Sequence, residues 1–278
     1  MAVPERTARP RRYLMCRPEH FDVTYQINPW MDLGVAVDTA RALGQWEALV
    51  DTYRELGHEV HLIEPAPDLP DMVFAANAGV VLDARVYGAL FLVEERRGEE
   101  ALYRAWFAAH GFVDVVTPRE VNEGAGDLLA VGDVILGAHG FRTSRGAHRE
   151  AEECFTRPVV SLELVDPRFY HLDTALAVLD RETIAYYPGA FAPAALRELQ
   201  HRFPDAIVAG EADAVAFGLN ATSDGRHVVL SADAVGLIGQ LRDRGFHPIG
   251  LDLSELRKAG GSAKCCTLEL AGWSGPVR

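Results

Sequence analysis

The chain repeats one pattern of secondary structure four times, and this repetition limits its possible folds more than any other feature. Each repeat begins with two short apolar runs around a turn, which predict a β-hairpin. The hairpins are AGVVLDARVYGALF, GDLLAVGDVILGA, TALAVLDRETIAYY and ATSDGRHVVLS. Segments with helical periodicity follow them, in EEALYRAWFAAHG, GAHREAEECF, APAALRELQHRF and ADAVGLIGQLRDRG, and a further apolar strand such as VVSLEL or HPIGLDL comes next. The repeating unit is therefore strand, strand, helix, strand.

A fifth unit is divided between the two ends of the chain. YLMCR, the helical segment TARALGQWEALVDTYRELGH and the strand EVHLIE come first, and KCCTLEL arrives last to complete the same unit. Pairing the ends in this way closes a ring of repeats around one core. We therefore predict a single α/β domain over residues 13–278, with five units around a pseudo-fivefold axis. Residues 1–12 are basic and lack an apolar stretch, and we predict that they form a disordered tail.

Polar residues stand at corresponding places in these units. They are Asn77, Glu123 with Asp127, His171 with Asp173, Asn220 and Cys265. From each unit to the next, one of these residues lies 45 to 47 residues from its counterpart. Because equivalent positions of a radial repeat converge on its axis, the sequence predicts one central pocket lined by these side chains.

The adjacent thiols Cys265 and Cys266 precede the last predicted strand. Period-two alternation along that strand sends Cys266, with the leucines that follow, to the core face and Cys265 to the opposite face. Cys16 and Cys154 are isolated in the sequence, so neither a metal ligand set nor a disulfide framework is indicated. We predict no metal site, and free cysteines of this kind favour a cytoplasmic protein.

Charge and hydropathy exclude two classes of partner. The formal net charge of −13 at pH 7 repels a phosphate backbone, and we predict no nucleic-acid partner. The 278 residues contain no apolar run long enough to span a bilayer, so we predict no membrane partner. An acidic surface serves solubility and does not by itself indicate a cationic substrate. The sequence does not predict an oligomeric state.

Five segments in order carry a family resemblance: PDMVFAANAG, NEGAGD, FRTS, YHLDTALA and GGSAKCC. Together they resemble the guanidino-group-modifying superfamily, which includes arginine deiminases, dimethylarginine dimethylaminohydrolases, arginine dihydrolases and amidinotransferases. The resemblance covers the chain from Tyr13 to Leu270. It implies the five-bladed α/β propeller of that superfamily, the pentein fold. It also implies a small-molecule substrate, arginine or a methylated arginine, and a reaction that requires no cofactor.

Attack on the central carbon of a guanidinium requires a strong nucleophile and carboxylates that hold the cation. The resemblance implies that Cys265 is this nucleophile and forms a covalent thiouronium. It implies that His171 protonates the departing nitrogen and then activates water. Glu123 is expected to orient His171, and Asp173 to contact the guanidinium with two oxygens. Asp127 either contributes to this site or only caps its glycine-flanked loop.

The two ends of an amino-acid substrate require further groups. A cation is needed for the carboxylate, and the family pattern suggests Arg96 and Arg142. Oxygen acceptors are needed for the ammonium, and the candidates are Asp71 and Asn28. The segment RPEHFDVTYQINPWM, which contains Asn28, lacks periodicity, and we predict that it forms a lid over the pocket.

Asn77 indicates which member of the superfamily the chain resembles most. Dimethylarginine hydrolases and arginine deiminases generally have an acid there, whereas an amide offers both a donor and an acceptor to neutral citrulline. INPWM and ANAG also resemble arginine dihydrolase, so we expect conversion of arginine to ornithine, carbon dioxide and two ammonia. Dimethylargininase and arginine deiminase are the alternatives. A non-catalytic binding protein is an alternative of another class, because ribosome anti-association factors share the propeller without its cysteine and histidine.

Overall fold

The structure of the chain, a computed structural model, describes residues 5–275. Its strands are β1 (Arg12–Cys16), β2 (Glu59–Ile63), β3 (Gly79–Leu82), β4 (Arg85–Gly88), β5 (Val115–Val116), β6 (Leu128–Val131), β7 (Val134–His139), β8 (Val159–Glu163), β9 (Leu176–Val178), β10 (Ile184–Tyr186), β11 (Ile207–Val208), β12 (Thr222–Ser223), β13 (His227–Ser231), β14 (His247–Leu251) and β15 (Leu268–Glu269). Its α-helices are α1 (Thr39–Glu55), α2 (Arg97–Ala109), α3 (Arg145–Phe155), α4 (Leu172–Ala175), α5 (Pro193–Arg202), α6 (Glu211–Val215), α7 (Val235–Asp243) and α8 (Ser254–Arg257).

The strands form five three-stranded sheets with one common pattern. The orders are β3-β4-β5, β6-β7-β8, β9-β10-β11, β12-β13-β14 and β15-β1-β2. In each sheet the middle strand is antiparallel to the first strand and parallel to the third. Parallel strands require a crossover, and α1, α2, α3, α5 and α7 supply it. The predicted strand, strand, helix, strand unit and the five-bladed α/β propeller are confirmed.

The last blade is closed by the two ends of the chain. β15 pairs antiparallel with β1, with Tyr13 opposite Glu269 and Leu14 opposite Leu268. β1 then pairs parallel with β2 along its whole length. The ring closes in this way as the split fifth unit predicted, so its inner strands surround one axis.

The segment before β1 differs from the predicted disordered tail. The N–H of Arg9 donates to Asp224 O at 2.9 Å, and the guanidinium of Arg6 lies 4.0 Å from the ring centroid of Phe246. Arg12 already belongs to β1. Residues 5–12 are therefore held on the surface, because the long stems and charges of their arginines make contacts that a search for apolar runs misses. Residues 1–4 lie outside the described part of the chain.

Helices cover the outer faces of the blades and define the hydrophobic core. α1 begins where the side chain of Asp38 accepts from the N–H of Arg41 at 3.0 Å, a standard N-cap. Its buried face includes Trp46 and Tyr53, and the ring of Tyr53 lies 4.7 Å from that of Tyr13 on β1. Over residues 5–275, no helix is long and apolar enough to cross a bilayer.

The inner strands position the site. β3, β6, β9, β12 and β15 each begin within three residues of a periodic polar residue. The five inner strands begin at the same end of the axis, so the polar side chains meet there although they are far apart in sequence.

Candidate active site

The thiol of Cys265 lies in a buried polar setting built by two neighbouring blades. Its Sγ is 3.0 Å from Asn220 Nδ2 and 3.4 Å from Asp173 Oδ2. Asn220 Oδ1 accepts from the N–H groups of Ser262 and Cys265 at 3.0 and 3.1 Å, which fixes the turn that carries the thiol. Burial and the carboxylate of Asp173 raise the pKa of Cys265 well above its usual value. Without a bound cation the group is therefore a thiol.

The two cysteines do not lie on a strand, which corrects the alternation argument. They belong to a turn before β15, which begins only at Leu268. The turn is closed by the N–H of Cys266 donating to Ser262 O at 3.2 Å. Cys266 is nevertheless fully buried in the apolar cluster around α1, and burial raises its pKa. The expected division between one core thiol and one site thiol holds for a different geometric reason.

His171 is oriented by Glu123. His171 Nε2 lies 2.7 Å from Glu123 Oε2, and both residues are buried. Its Nδ1 has no hydrogen-bond partner among the described residues. Burial favours the neutral form of Glu123, but the Arg142 guanidinium and His171 outweigh it and lower the pKa of Glu123 to about 2. The imidazole therefore faces an ionised carboxylate.

Arg142 forms an ion pair with Glu123. Its Nη1 donates to both carboxylate oxygens of Glu123, at 3.0 and 2.9 Å, and its Nη2 donates to Ile27 O at 2.6 Å. Its guanidinium carbon is 4.9 Å from the ring centroid of Tyr170. Glu123 thus already holds one guanidinium, where the sequence analysis expected Arg142 to bind a substrate carboxylate.

Asp127 supports the backbone that carries His171. Its Oδ1 accepts from the N–H of Leu172 at 3.0 Å and its Oδ2 from the hydroxyl of Thr143 at 2.7 Å. Leu172 is the first residue of α4, and His171 is its N-cap. Burial raises the pKa of Asp127 to about 6, against the lowering effect of His171 and Thr143. Of the two roles left open by the sequence, this geometry matches support of the loop, because both carboxylate oxygens are engaged.

Asn77 and Arg96 form one connected group. Asn77 Oδ1 accepts from Arg96 Nη1 at 2.7 Å, and Asn77 Nδ2 donates to Glu123 O at 3.3 Å. Arg96 also makes a two-point ion pair with Glu99, at 2.7 and 2.8 Å. Sequence analysis did not select Glu99, although an acid three residues after an arginine on a helix signals such a pair. Arg96 is therefore held in place, and its positive charge is largely balanced by Glu99.

Asp71 presents an unsatisfied oxygen. Its Oδ2 accepts from the hydroxyl of Tyr25 at 2.8 Å, whereas its buried Oδ1 has no partner among the described residues. Burial raises the pKa of Asp71, and Arg96 opposes this. A buried carboxylate oxygen without a donor is costly, so the position suits an incoming cation.

The predicted lid covers the site. Asn28 Nδ2 donates to Ala259 O at 3.0 Å and to the Tyr170 hydroxyl at 3.3 Å. Trp30 Nε1 donates to Arg168 O at 2.7 Å. Arg142 also donates to the neighbouring carbonyl of Ile27. These contacts hold the lid closed over the pocket.

These groups line or surround one small cavity. It is lined by seven of the ten predicted site residues, Asn28, Asp71, Asn77, Arg96, Arg142, His171 and Cys265. Glu123, Asp127 and Asp173 lie behind this lining. The cavity volume, about 10 Å³ as measured for the centre of a water-sized sphere, suits roughly one water molecule. An amino acid can enter only if the lid and Arg142 move. Over residues 5–275, no three His, Cys, Asp or Glu side chains are arranged to hold a metal ion.

Two named proteins are similar to this chain in sequence. It is 57% identical over 265 residues to an N(G),N(G)-dimethylarginine dimethylaminohydrolase of Mycobacterium tuberculosis, which covers 95% of this chain and 87% of that protein. It is 40% identical over 265 residues to the bifunctional arginine dihydrolase/ornithine cyclodeaminase ArgZ of Synechocystis sp.. That match covers 93% of this chain but only 37% of ArgZ. No family model matches the chain.

Solved structures share the whole architecture. The product-bound N-terminal domain of ArgZ, an arginine dihydrolase from the ornithine-ammonia cycle in cyanobacteria, superposes with a TM-score of 0.91 at 39% identity. The superposition covers 95% of this chain and 98% of that domain. A dimethylarginine dimethylaminohydrolase adduct has a TM-score of 0.81 at 20% identity, covering 94% of this chain and all of that one, and shares the fold.

Proposed function

The chain belongs to the guanidino-group-modifying family of dimethylarginine dimethylaminohydrolases and arginine dihydrolases, and we propose that it converts arginine to ornithine, carbon dioxide and two ammonia. As a member of that family it is a hydrolase of guanidino C–N bonds. The observation that carries the proposal is the contact of 3.4 Å between the Cys265 thiol and the Asp173 carboxylate, in a cavity that His171 also lines. These are the nucleophile, the cation holder and the proton carrier that the reaction requires.

Substrate binding exchanges one cation for another. The guanidinium of arginine takes the place of the Arg142 guanidinium beside Glu123 and meets Asp173. Arg142, released from Glu123, reaches the substrate carboxylate, whereas Arg96 stays paired with Glu99. The free Oδ1 of Asp71 and the lid residue Asn28 receive the ammonium. Charge-assisted contacts at both ends offset the cost of opening the lid.

The bound cation also activates the nucleophile. Asp173 raises the pKa of Cys265 in the unliganded site, and a guanidinium placed between them removes that effect and favours the thiolate. The thiol proton leaves to solvent as the cation enters. Substrate binding thus generates the thiolate where it is needed.

The chemistry proceeds through a covalent intermediate. The Cys265 sulfur forms a bond to the guanidinium carbon, and the C–N bond to a terminal nitrogen breaks as protonated His171 gives its proton to that nitrogen. Ammonia leaves and a thiouronium remains. His171, now neutral, takes a proton from water, whose oxygen attacks the same carbon and breaks the C–S bond. The product is citrulline, and a second round on its urea group gives ornithine, carbon dioxide and a second ammonia.

Variants of the relatives support this assignment of roles. A cysteine-to-serine variant of the ArgZ domain binds substrate, and an asparagine-to-serine variant is covalently bound to a reaction intermediate. A cysteine-to-alanine variant of the related AgrE binds L-arginine. These relatives support a cysteine nucleophile and a covalent intermediate.

The choice of arginine dihydrolase rests on Asn77. Its amide carries a second N–H and a second lone pair beyond the contacts it makes to Glu123 and Arg96. Such a group suits a neutral urea, which presents both an acceptor and donors. Dimethylargininase is the second candidate, favoured by the 57% identity to a protein of that name.

A product assay separates the candidates. The purified chain is supplied in turn with arginine, asymmetric dimethylarginine and citrulline, and ammonia, citrulline, ornithine and dimethylamine are followed with time. We expect two ammonia per arginine and ornithine from citrulline. Dimethylamine from dimethylarginine with arginine untouched identifies a dimethylargininase, and one ammonia per arginine with citrulline as end product identifies a deiminase.

A further inference from the structure

A second cavity, which we call the far-side cavity, extends along the inner strands, from Leu128 and Lys264 near their first residues to the turns at their far ends. Turn residues at the ends of these strands line it, among them Asp83, Gly132 and Ser223. β3 and β6 are four residues long, so the two ends of the axis are about 13 Å apart. The two cavities have no lining residue in common.

The far-side cavity is large enough for a metabolite. Its volume is about 310 Å³, at the lower end of the range for small-molecule sites. The site around Cys265 is far smaller in this closed state. Of these two cavities, the larger is therefore the one to which the guanidino chemistry gives no role.

Its charge differs from that of the chain as a whole. Five cationic side chains line it, Arg9, Arg11, Arg157, Arg181 and Lys264, against three anionic ones, Asp83, Asp180 and Glu269. The local excess is two positive charges in a chain whose net charge is −13. A cationic recess on an acidic molecule attracts small anions selectively.

Two of these cations are available. Arg11 is paired with Glu269 at 2.9 Å and Arg157 with Asp83 at 2.7 Å, and Asp180 and Arg181 pair with residues outside the cavity. Within residues 5–275, Arg9 and Lys264 form no ion pair, and the half-buried Lys264 Nζ has only a contact of 3.4 Å to Thr267 O. A partly desolvated ammonium with one long contact lacks the acceptors that it would have in water.

The remaining wall is apolar, with Val81, Leu129 and Leu179 among its residues. Hydrocarbon surface beside free cations suits a ligand that has both an anionic group and an apolar body. We propose that the far-side cavity binds a small organic anion, held by Lys264 and Arg9 at its charged end.

A ligand in the far-side cavity affects the reaction centre through Lys264. This residue precedes Cys265 in the same turn, and its N–H donates to Asn220 O at 3.2 Å. Its charge also lowers the pKa of Asp173, against the raising effect of burial. An anion on Lys264 cancels this influence and weakens the ionised form of Asp173 that holds the substrate. The far-side ligand is therefore an inhibitor that leaves the substrate cavity open.

Binding is tested with three probes of one shape, hexanoate, hexan-1-ol and hexylammonium, by calorimetry on the whole chain. The measurements use the Cys265→Ser variant saturated with arginine, so that the substrate cavity is already occupied. Hexanoate is expected to bind with one saturable site, and Lys264→Met and Arg9→Gln each weaken it by about tenfold, the effect of one charge-assisted contact. Arg54→Gln, which removes an exposed arginine outside the cavity, is the matched control and leaves binding unchanged.

The remaining outcomes overturn the proposal. Equal binding of the three probes shows an apolar site without charge selection. Hexanoate binding that arginine abolishes belongs to the substrate cavity, and binding that neither variant weakens lies elsewhere on the surface. Arg9 is exposed, so its variant remains informative if Lys264→Met does not fold.

An activity measurement tests the coupling, which rests on the proposed function, whereas the binding test does not. With the unmodified chain, hexanoate is expected to lower kcat and raise KM for arginine together, because a less ionised Asp173 holds the cation more weakly in both the bound state and the transition state, and Lys264→Met is expected to be insensitive. A rise in KM at constant kcat contradicts the coupling, because it indicates competition in the substrate cavity.

Discussion

Cys265 and Cys266 are neighbours in sequence, yet their sulfur atoms have different surroundings. Cys265 Sγ contacts Asn220 and Asp173, whereas Cys266 is packed in the apolar cluster around α1. The sequence predicted this division from strand alternation, and the structure produces it from a turn. The periodic spacing and the family resemblance select Cys265 whatever its local conformation, because both depend on position along the chain.

The two cysteines therefore respond differently to the same substitution. We expect Cys265→Ser to lower turnover by at least about 10³-fold without loss of fold, because its hydroxyl keeps the partners of the thiol but is a far weaker nucleophile. Cys266→Ser buries a hydroxyl in an apolar setting and costs about 1 to 3 kcal/mol of stability, with turnover per folded molecule retained. Turnover numbers and urea unfolding of both variants check this. Near-normal turnover in Cys265→Ser contradicts the assignment.

Asn77 gives the prediction that separates the two rounds of hydrolysis. In Asn77→Asp the contact to Arg96 becomes an ion pair, and the added carboxylate attracts a guanidinium, so capture of cationic arginine is expected to persist. The carboxylate loses the N–H that a urea oxygen requires, which costs about 1 to 3 kcal/mol, or roughly ten- to a hundredfold, in the second round. A time course with excess arginine should show citrulline accumulating in the variant but not in the unmodified chain. Equal slowing of both rounds contradicts the role given to the amide.

At the scale of elements, sequence periodicity predicted the regular parts and missed the short ones. The long helices α1, α5 and α7 fall within their predicted segments, and α2 and α3 begin two residues and one residue before theirs, because each has an apolar stripe of several turns. α4 has only four residues and no such stripe. It forms because Asp127 accepts from the N–H of Leu172, a tertiary contact that no local pattern records. The orientation of His171 depends on this element.

Asp127 is therefore expected to act through α4. In Asp127→Ala the first N–H of α4 and the hydroxyl of Thr143 lose their acceptor, His171 is misaligned, and kcat falls roughly ten- to a hundredfold at nearly constant KM. Asp127→Asn keeps one acceptor for Leu172 and should recover most of kcat. Steady-state kinetics of the pair provide the test. A large rise in KM in both variants indicates that Asp127 contacts the substrate, the other role that the sequence left open.

At the scale of the whole molecule, the sequence predicted the ring and its centre but not the charge pairs inside it. Repeat spacing was sufficient to bring Asn77, Glu123, His171 and Cys265 to one end of the axis. Repeats contain no information on which cation meets which anion, since those contacts join different blades. Arg142 is the example, because it pairs with Glu123 where a substrate contact was expected. The same long-range pairing makes Glu123 a contributor to global stability.

The buried Glu123 carboxylate links the stability of the whole molecule to pH. Arg142 and His171 lower its folded-state pKa to about 2 from the reference value of 4.5, against the raising effect of burial. Because the folded-state pKa is depressed, the contribution of Glu123 to the free energy of unfolding is complete above pH 4.5 and is lost as the pH falls towards 2. Its size is about 3 kcal/mol.

Glu123→Gln removes the titration and leaves Arg142 poorly paired, so the variant is less stable at pH 7. We expect the difference in unfolding free energy between the two proteins to shrink as the pH is lowered, in urea titrations from pH 7 to 3. Glu269→Gln, which breaks the half-exposed pair with Arg11, is the matched control and should cost little at any pH, because solvent screens that pair. A difference between the unmodified chain and Glu123→Gln that stays constant with pH contradicts the depressed pKa and, with it, the ionised partner assigned to His171.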